Sequence, residues 1–158
     1  MKNIAKICIS ALALVSMGSV ATAQTLSPAN TSVTASGQLT QSLNGSLFTT
    51  VCNVQLVGTT DSTGITFTSM TGTAVSGPLS CDDGLVFPLR VEATSSTSVT
   101  IKNMEVSTRL GDCGPQDVVG SWSNATSTAG PLAASLSGWF GTCHASGSLT
   151  VSPAITIN

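Results

Sequence analysis

Between Cys143 and Val151 every second residue is small or apolar. Cys143, Ala145, Gly147, Leu149 and Val151 alternate with His144, Ser146, Ser148 and Thr150. Successive side chains of a strand point to opposite faces, so this period of two prescribes a strand with one buried and one solvated face. The pattern recurs along the chain. Val33, Ala35, Gly37 and Leu39 alternate with Thr34, Ser36, Gln38 and Thr40. Asn44-Gly45, a strong hairpin signal, separates that run from a strand placing Phe48, Cys52, Val54 and Leu56 on one face. Ile65 and Phe67 follow, then Val75, Leu79 and Cys81, and then Leu85, Phe87, Leu89, Val91 and Ala93. Pro88 cannot donate to a ladder, which predicts an edge or a bulge there. In "SVTIKNMEVST" (98–108) the apolar parity changes between Ile101 and Met104, predicting a bulge near Lys102-Asn103. A similar change separates Leu136 and Phe140 from Cys143, at Gly141-Thr142. No helical period appears beyond residue 23. The expectation is one all-β domain over 24–158, a sandwich or flattened barrel of about eight to ten short antiparallel strands.

A weak echo links the two ends of that domain. "SPANTSVTASGQLT" (27–40) and "ASGSLTVSPAITIN" (145–158) share Ala-Ser-Gly-x-Leu-Thr and Ser-Pro-Ala in opposite order. It predicts similar half-buried positions for the two terminal strands.

Residues 1–23 read as a secretory signal peptide. Lys2 and Lys6 form a basic start, Ile7 to Val20 an apolar stretch, and Ala21-Thr22-Ala23 a small-x-small cleavage site. The stretch is short for a membrane span, and no later one is long and apolar enough. The expected destination is periplasm, cell surface or medium. Cys52, Cys81, Cys113 and Cys143 remain, and four cysteines in an exported chain predict two disulfides. Three connectivities are open, and near-equal spacing does not choose among them. The pairing expected here is Cys52–Cys81 with Cys113–Cys143.

Charge is scarce, at 8% of residues. Beyond the leader the cations are Arg90, Lys102 and Arg109, too few and too scattered for a nucleic-acid surface. The apposition of Cys143 with His144, the one histidine, looks at first like a nucleophile and its base. Strand neighbours diverge, however, so Cys143 faces in and His144 out, and the pair cannot act together. No G-x-S-x-G elbow is present. Asp82-Asp83, followed by Gly84, reads as a turn, and calcium would need six or more oxygen ligands. Zinc lacks C-x-x-C spacing and histidines. The residues thus predict no catalytic site, metal or cofactor. Trp122, at the end of "GDCGPQDVVGSW", reads as a core aromatic beside a disulfide. Trp139 in "LSGWFGT" has outward parity and is the candidate apolar contact with a hydrophobic partner, a sugar or an interface.

The run "ATSSTSVTIKNMEVSTRLGDCGPQDVVGSWSNATST" (93–128), with "GTCHASGSLTVSPAITIN" (141–158) and "LSPANTSVTASGQLT" (26–40), resembles the small exported bacterial proteins called protein activators of alkane oxidation, the PraA/PraB type. The resemblance implies a secreted or surface protein that promotes growth on, or oxidation of, liquid hydrocarbons. It implies no catalytic residues, the oxidation chemistry belonging to separate oxygenases. The expected partner is a hydrocarbon or hydrophobic surface, with self-association open. The rival reading is a structural subunit of a surface fibre, adhesin or biofilm matrix, since donor-strand pilins are also exported and Thr-rich. A secreted hydrolase is disfavoured by the missing base.

Overall fold

A computed structural model of the protein describes residues 24–43, 48–81, 84–108, 111–139 and 141–158. The signal peptide read in 1–23, the Asn44-Gly45 turn and the Asp82-Asp83 turn lie outside the described residues, as do Arg109 and Phe140. Ten strands follow in chain order: β1 (Leu26–Ser27), β2 (Ser32–Leu43), β3 (Phe48–Thr60), β4 (Gly64–Ser76), β5 (Leu89–Ser95), β6 (Ser98–Thr108), β7 (Gly111–Ser123), β8 (Thr128–Gly138), β9 (Gly141–Ser152) and β10 (Thr156–Ile157). Strands β2 to β9 pair in sequence order, and β9 returns to β2, closing an antiparallel barrel. Closure gives each of β2 to β9 a partner on both sides over at least part of its length, which reduces the unpaired donors and acceptors an open sheet would expose.

The alternation sets which side chains enter the barrel. In β3, Thr50, Cys52, Val54 and Leu56 are buried between exposed Asn53, Gln55 and Val57. In β8, Leu132, Ala134 and Leu136 are buried between exposed Pro131, Ala133 and Ser135. The β6 bulge falls where the parity change places it, with register shifts on both sides of Met104.

The echo between the chain ends acquires a structural meaning at the closing seam. Gly37 lies opposite Leu149, and Leu39 lies opposite Gly147. A Cβ on Gly37 would stand 2.1 Å from the Ser148 carbonyl oxygen, and one on Gly147 2.2 Å from that of Gln38. Each strand therefore offers a glycine where the other presents a leucine. The same hexapeptide serves both sides because antiparallel neighbours are related by a local two-fold. The Ser-Pro-Ala pieces join β1 to β2 and β9 to β10, and β1 and β10 pair with each other as a separate two-stranded sheet.

That small sheet closes one end of the barrel. Leu26, Ile155 and Ile157 are buried there, and together with Ile65, Val99 and Trp122 they leave a gap of only about 10 Å³. Side chains of the β7–β8 turn hold β10 by its backbone. Ser127 Oγ accepts from the Ile155 N–H at 3.0 Å and donates to its carbonyl at 3.1 Å. Asn124 repeats the arrangement on Ile157, and its Oδ1 also accepts from Trp122 Nε1.

Five expectations are corrected. Trp122 is a core residue, but not beside a disulfide: Cys113 is at the opposite end of β7, about 30 Å away at the rise of a strand. Pro88 is neither on an edge nor bulged within a strand, because β5 begins after it and the barrel closes; Leu85 makes an isolated bridge to Val106 instead. Val75 points outward, 55% exposed, because a register shift between Val57 and Gly58 inverts the parity of β4 beyond Phe67. Phe48 keeps the register of Cys52 but stands at the rim, 45% exposed. The change placed at Gly141-Thr142 is the β8–β9 hairpin itself, with Gly138 opposite Gly141 and Leu136 opposite Cys143.

Candidate functional site

The end of the barrel away from β1 and β10 is built from the last residues of β2, β4, β6 and β8 and the first of β3, β7 and β9. The connection from β4 to β5 turns back into this opening. Gly77, at φ +98°, supplies the left-handed backbone for the reversal. Leu79 N–H then donates to the buried Thr50 Oγ1 at 2.9 Å. Cys81 packs on Gly72, whose register opposite the buried Val54 turns it to the barrel interior. A Cβ at Gly72 would lie 2.6 Å from the Cys81 carbonyl oxygen, so the missing side chain is what admits the segment.

Two disulfides tie this end together. Cys52 joins Cys81, with Cα atoms 5.7 Å apart, and staples the returning segment to β3. Cys113 joins Cys143, at 6.1 Å, and links the start of β7 to the start of β9. All four cysteines are buried. With its sulfur in a disulfide, Cys143 holds no thiolate for His144 to activate. His144 is half-buried, and its Nδ1 lies 3.2 Å from Ser135 Oγ, its cross-strand neighbour on the outer face.

Between the stapled segment and the strand ends lies a cavity of about 310 Å³. Leu43, Leu79, Val106, Leu136, Cys143 and Ala145 supply its apolar lining, Ser42, Ser80, Ser107 and Thr108 are its hydroxyl residues, and His144 also borders it. Gln41 is the inward polar residue. It continues the buried register of Val33 and Ala35, and its Nε2 donates to Cys52 Sγ at 3.2 Å. No carboxylate, Lys or Arg stands among the described lining residues. The charged pairs sit elsewhere on the wall, Arg90 with Asp61 and Glu92, Lys102 with Asp117. No group of three or more His, Cys, Asp or Glu able to hold a metal occurs among the described residues.

Trp139 rides on the tip of the β8–β9 hairpin, 89% exposed. The same hairpin places Leu136 and Cys143 in the cavity wall. Phe48, Val75 and Val86 are also exposed at this end, Val86 through its bond to Glu105 on β6. Most of the large exposed hydrophobic side chains of the described residues therefore gather around one opening, while the outer wall of β2 is Thr34, Ser36, Gln38 and Thr40. Sequence reasoning singled out the cysteines and Trp139 but missed the cavity. The signal available was Gln41, a polar residue at an inward position between Leu39 and Leu43.

A family model described as alkane oxidation protein activator PraA/PraB-like matches residues 1–158, the whole chain, and the protein belongs to that family. No curated protein and no solved structure matches it.

Proposed function

We propose that this PraA/PraB-like protein is an exported, non-enzymatic accessory that raises alkane oxidation by acting where the cell meets liquid hydrocarbon. The observation that carries the reading is Trp139, an indole almost wholly in solvent at the tip of a hairpin, with Phe48, Val75 and Val86 exposed at the same end. An indole accepts an apolar surface on one side and water on the other. Scarce charge lowers the cost of adsorption, since few ions must lose water. Two disulfides accord with an oxidising compartment outside the cytoplasm. Alkane is insoluble, so its supply is limited by contact, and a protein that wets or disperses the oil accelerates oxidation without performing it.

The fibre-subunit reading receives less support. Donor-strand assembly needs an open sheet edge, and the ladder from β2 to β9 closes on itself. A deletion strain should grow normally on a soluble carbon source and poorly on hexadecane, with added protein restoring growth. Trp139→Ser should keep the fold and weaken adsorption to hexadecane droplets. Immersing about half of an indole's roughly 200 Å² contributes about 2.5 kcal/mol at ~25 cal/mol per Å², or between one and two orders of magnitude in binding. Equal growth of mutant and parent on hexadecane removes the reading. Loss of attachment on every carbon source replaces it with the matrix subunit.

A further inference from the structure

We infer that the cavity at the open end of the barrel is a binding site for one neutral, unbranched aliphatic molecule of about a dozen carbons, with or without a terminal hydroxyl. This extends the proposed function from adsorption at an oil surface to the capture of single molecules. Eight-stranded barrels have an interior just wide enough to be filled by side chains or to hold one small ligand. Here the two ends differ. At the β1–β10 end, Trp122, Ile155 and Ile157 fill the interior almost completely. At the other, the interior widens to about 310 Å³ and opens to solvent.

Size and lining select the ligand. A dry apolar cavity of about 150 Å³ holds one benzene, roughly 25 Å³ per carbon, so this volume accommodates on the order of a dozen carbons. Leu43, Leu79, Val106 and Leu136 offer branched aliphatic surface suited to methylenes, and the one ring among the described lining residues is the His144 imidazole, which is engaged with Ser135 at 3.2 Å. A carboxylate head would lose its hydration here without a Lys or Arg among the described lining residues, which costs several kcal/mol. A hydroxyl has a partner. Gln41 commits Nε2 to Cys52 Sγ, leaving Oε1 as an acceptor, and a Cβ on the cavity-lining Gly84 would lie 3.9 Å from it. The wall is also held in place without a ligand. The Cys52–Cys81 disulfide, the Thr50 hydroxyl and the Gly72 contact fix one side, and Cys113–Cys143 fixes the other. Such a site loses little entropy on binding.

The test uses the disulfide-intact protein and radiolabelled 1-dodecanol in equilibrium dialysis. Competitors are n-alkanols, n-alkanes and n-alkanoates of six to sixteen carbons. One saturable site per chain is expected. Affinity should rise about fourfold per methylene and level off near twelve carbons. Val106→Trp and Ala145→Phe, each checked for fold by circular dichroism and urea denaturation, should each weaken binding at least tenfold. Gln41→Leu should bring the alkanol down to the affinity of the alkane. Trp139→Ser should leave dialysis binding unchanged, so droplet adsorption and cavity binding fail separately. Absence of saturable binding overturns the inference. So does affinity that keeps climbing to sixteen carbons, as bulk partitioning would, or indifference to both cavity-filling variants. Alkanoates binding as well as alkanols would overturn the neutral-head assignment, and an unchanged alkanol preference in Gln41→Leu would overturn the role given to Gln41.

Discussion

Removing one hydroxyl, in Ser127→Ala, should release the seal at the filled end of the barrel. Ser127 is 3% exposed and Ile155 not at all. The hydroxyl satisfies both the N–H and the carbonyl of Ile155, and alanine leaves these two buried groups unpaired. Each buried unsatisfied group costs about 1–3 kcal/mol, so a loss of about 2–4 kcal/mol is expected. Ser127 has φ +49°, a region that serine and alanine enter at similar cost, so the substitution reports on the hydrogen bonds more than on the backbone. With a urea m-value of about 2 kcal/mol/M, the midpoint should fall by about 1–2 M. Trp122 stands inside the cap and Asn124 receives its indole N–H, so its fluorescence reports on this end. Far-UV circular dichroism reports on the whole barrel. If β10 detaches before the barrel opens, the fluorescence transition precedes the dichroic one. Ser152→Ala, on an exposed position, should change stability by less than about 0.5 kcal/mol and serves as control. A midpoint shift in Ser127→Ala no larger than the control's would refute the reasoning, because it would mean that water already reaches the Ile155 backbone and the end is not sealed.

Three further outcomes are expected. Replacing Cys52 and Cys81 together by alanine should cost about 3.5 kcal/mol in the chain-entropy model, with a similar cost for Cys113 and Cys143, since the bridges span 29 and 30 residues; denaturation of each double variant measures it. Asp61 is held well below the usual carboxylate range, first by its hydrogen bond to Arg90, against the opposing effect of burial, and then by Thr63. Its folded pKa is depressed, so the stability it contributes is present above the unfolded value of 3.8 and lost as pH falls below it; Asp61→Asn should flatten that acid limb by about 1 kcal/mol or less, because the carboxylate is half-exposed. His144→Ala should leave the fold within about 0.5 kcal/mol and retain hydrocarbon-dependent activity, measured by denaturation and by add-back growth on hexadecane; loss of that activity without unfolding would restore a functional role for His144.

Local chemistry made much of this protein legible in advance. Period-two alternation assigned an inner and an outer face to β2, β3 and β9, because side-chain direction in a strand depends on sequence position alone. It also separated Cys143 from His144, and it exposed the bulge near Asn103 as a change of parity. Alternation does not say which strand lies beside which. The pairing of β2 with β9 spans nearly the whole domain, and the glycine–leucine complementarity that secures it became visible only when Gly37 met Leu149. The shift in β4 that turns Val75 outward arises from its pairing with β3, so no local pattern announces it. Trp122 was recognisable as core, but its distance from Cys113 depends on β7 running the full height of the barrel. The cavity is the least local property of all. It is the volume left where β2, β6, β8, β9 and a stapled return segment fail to fill the interior. Gaps belong to the packing of many distant residues, and no single stretch of chain encodes one.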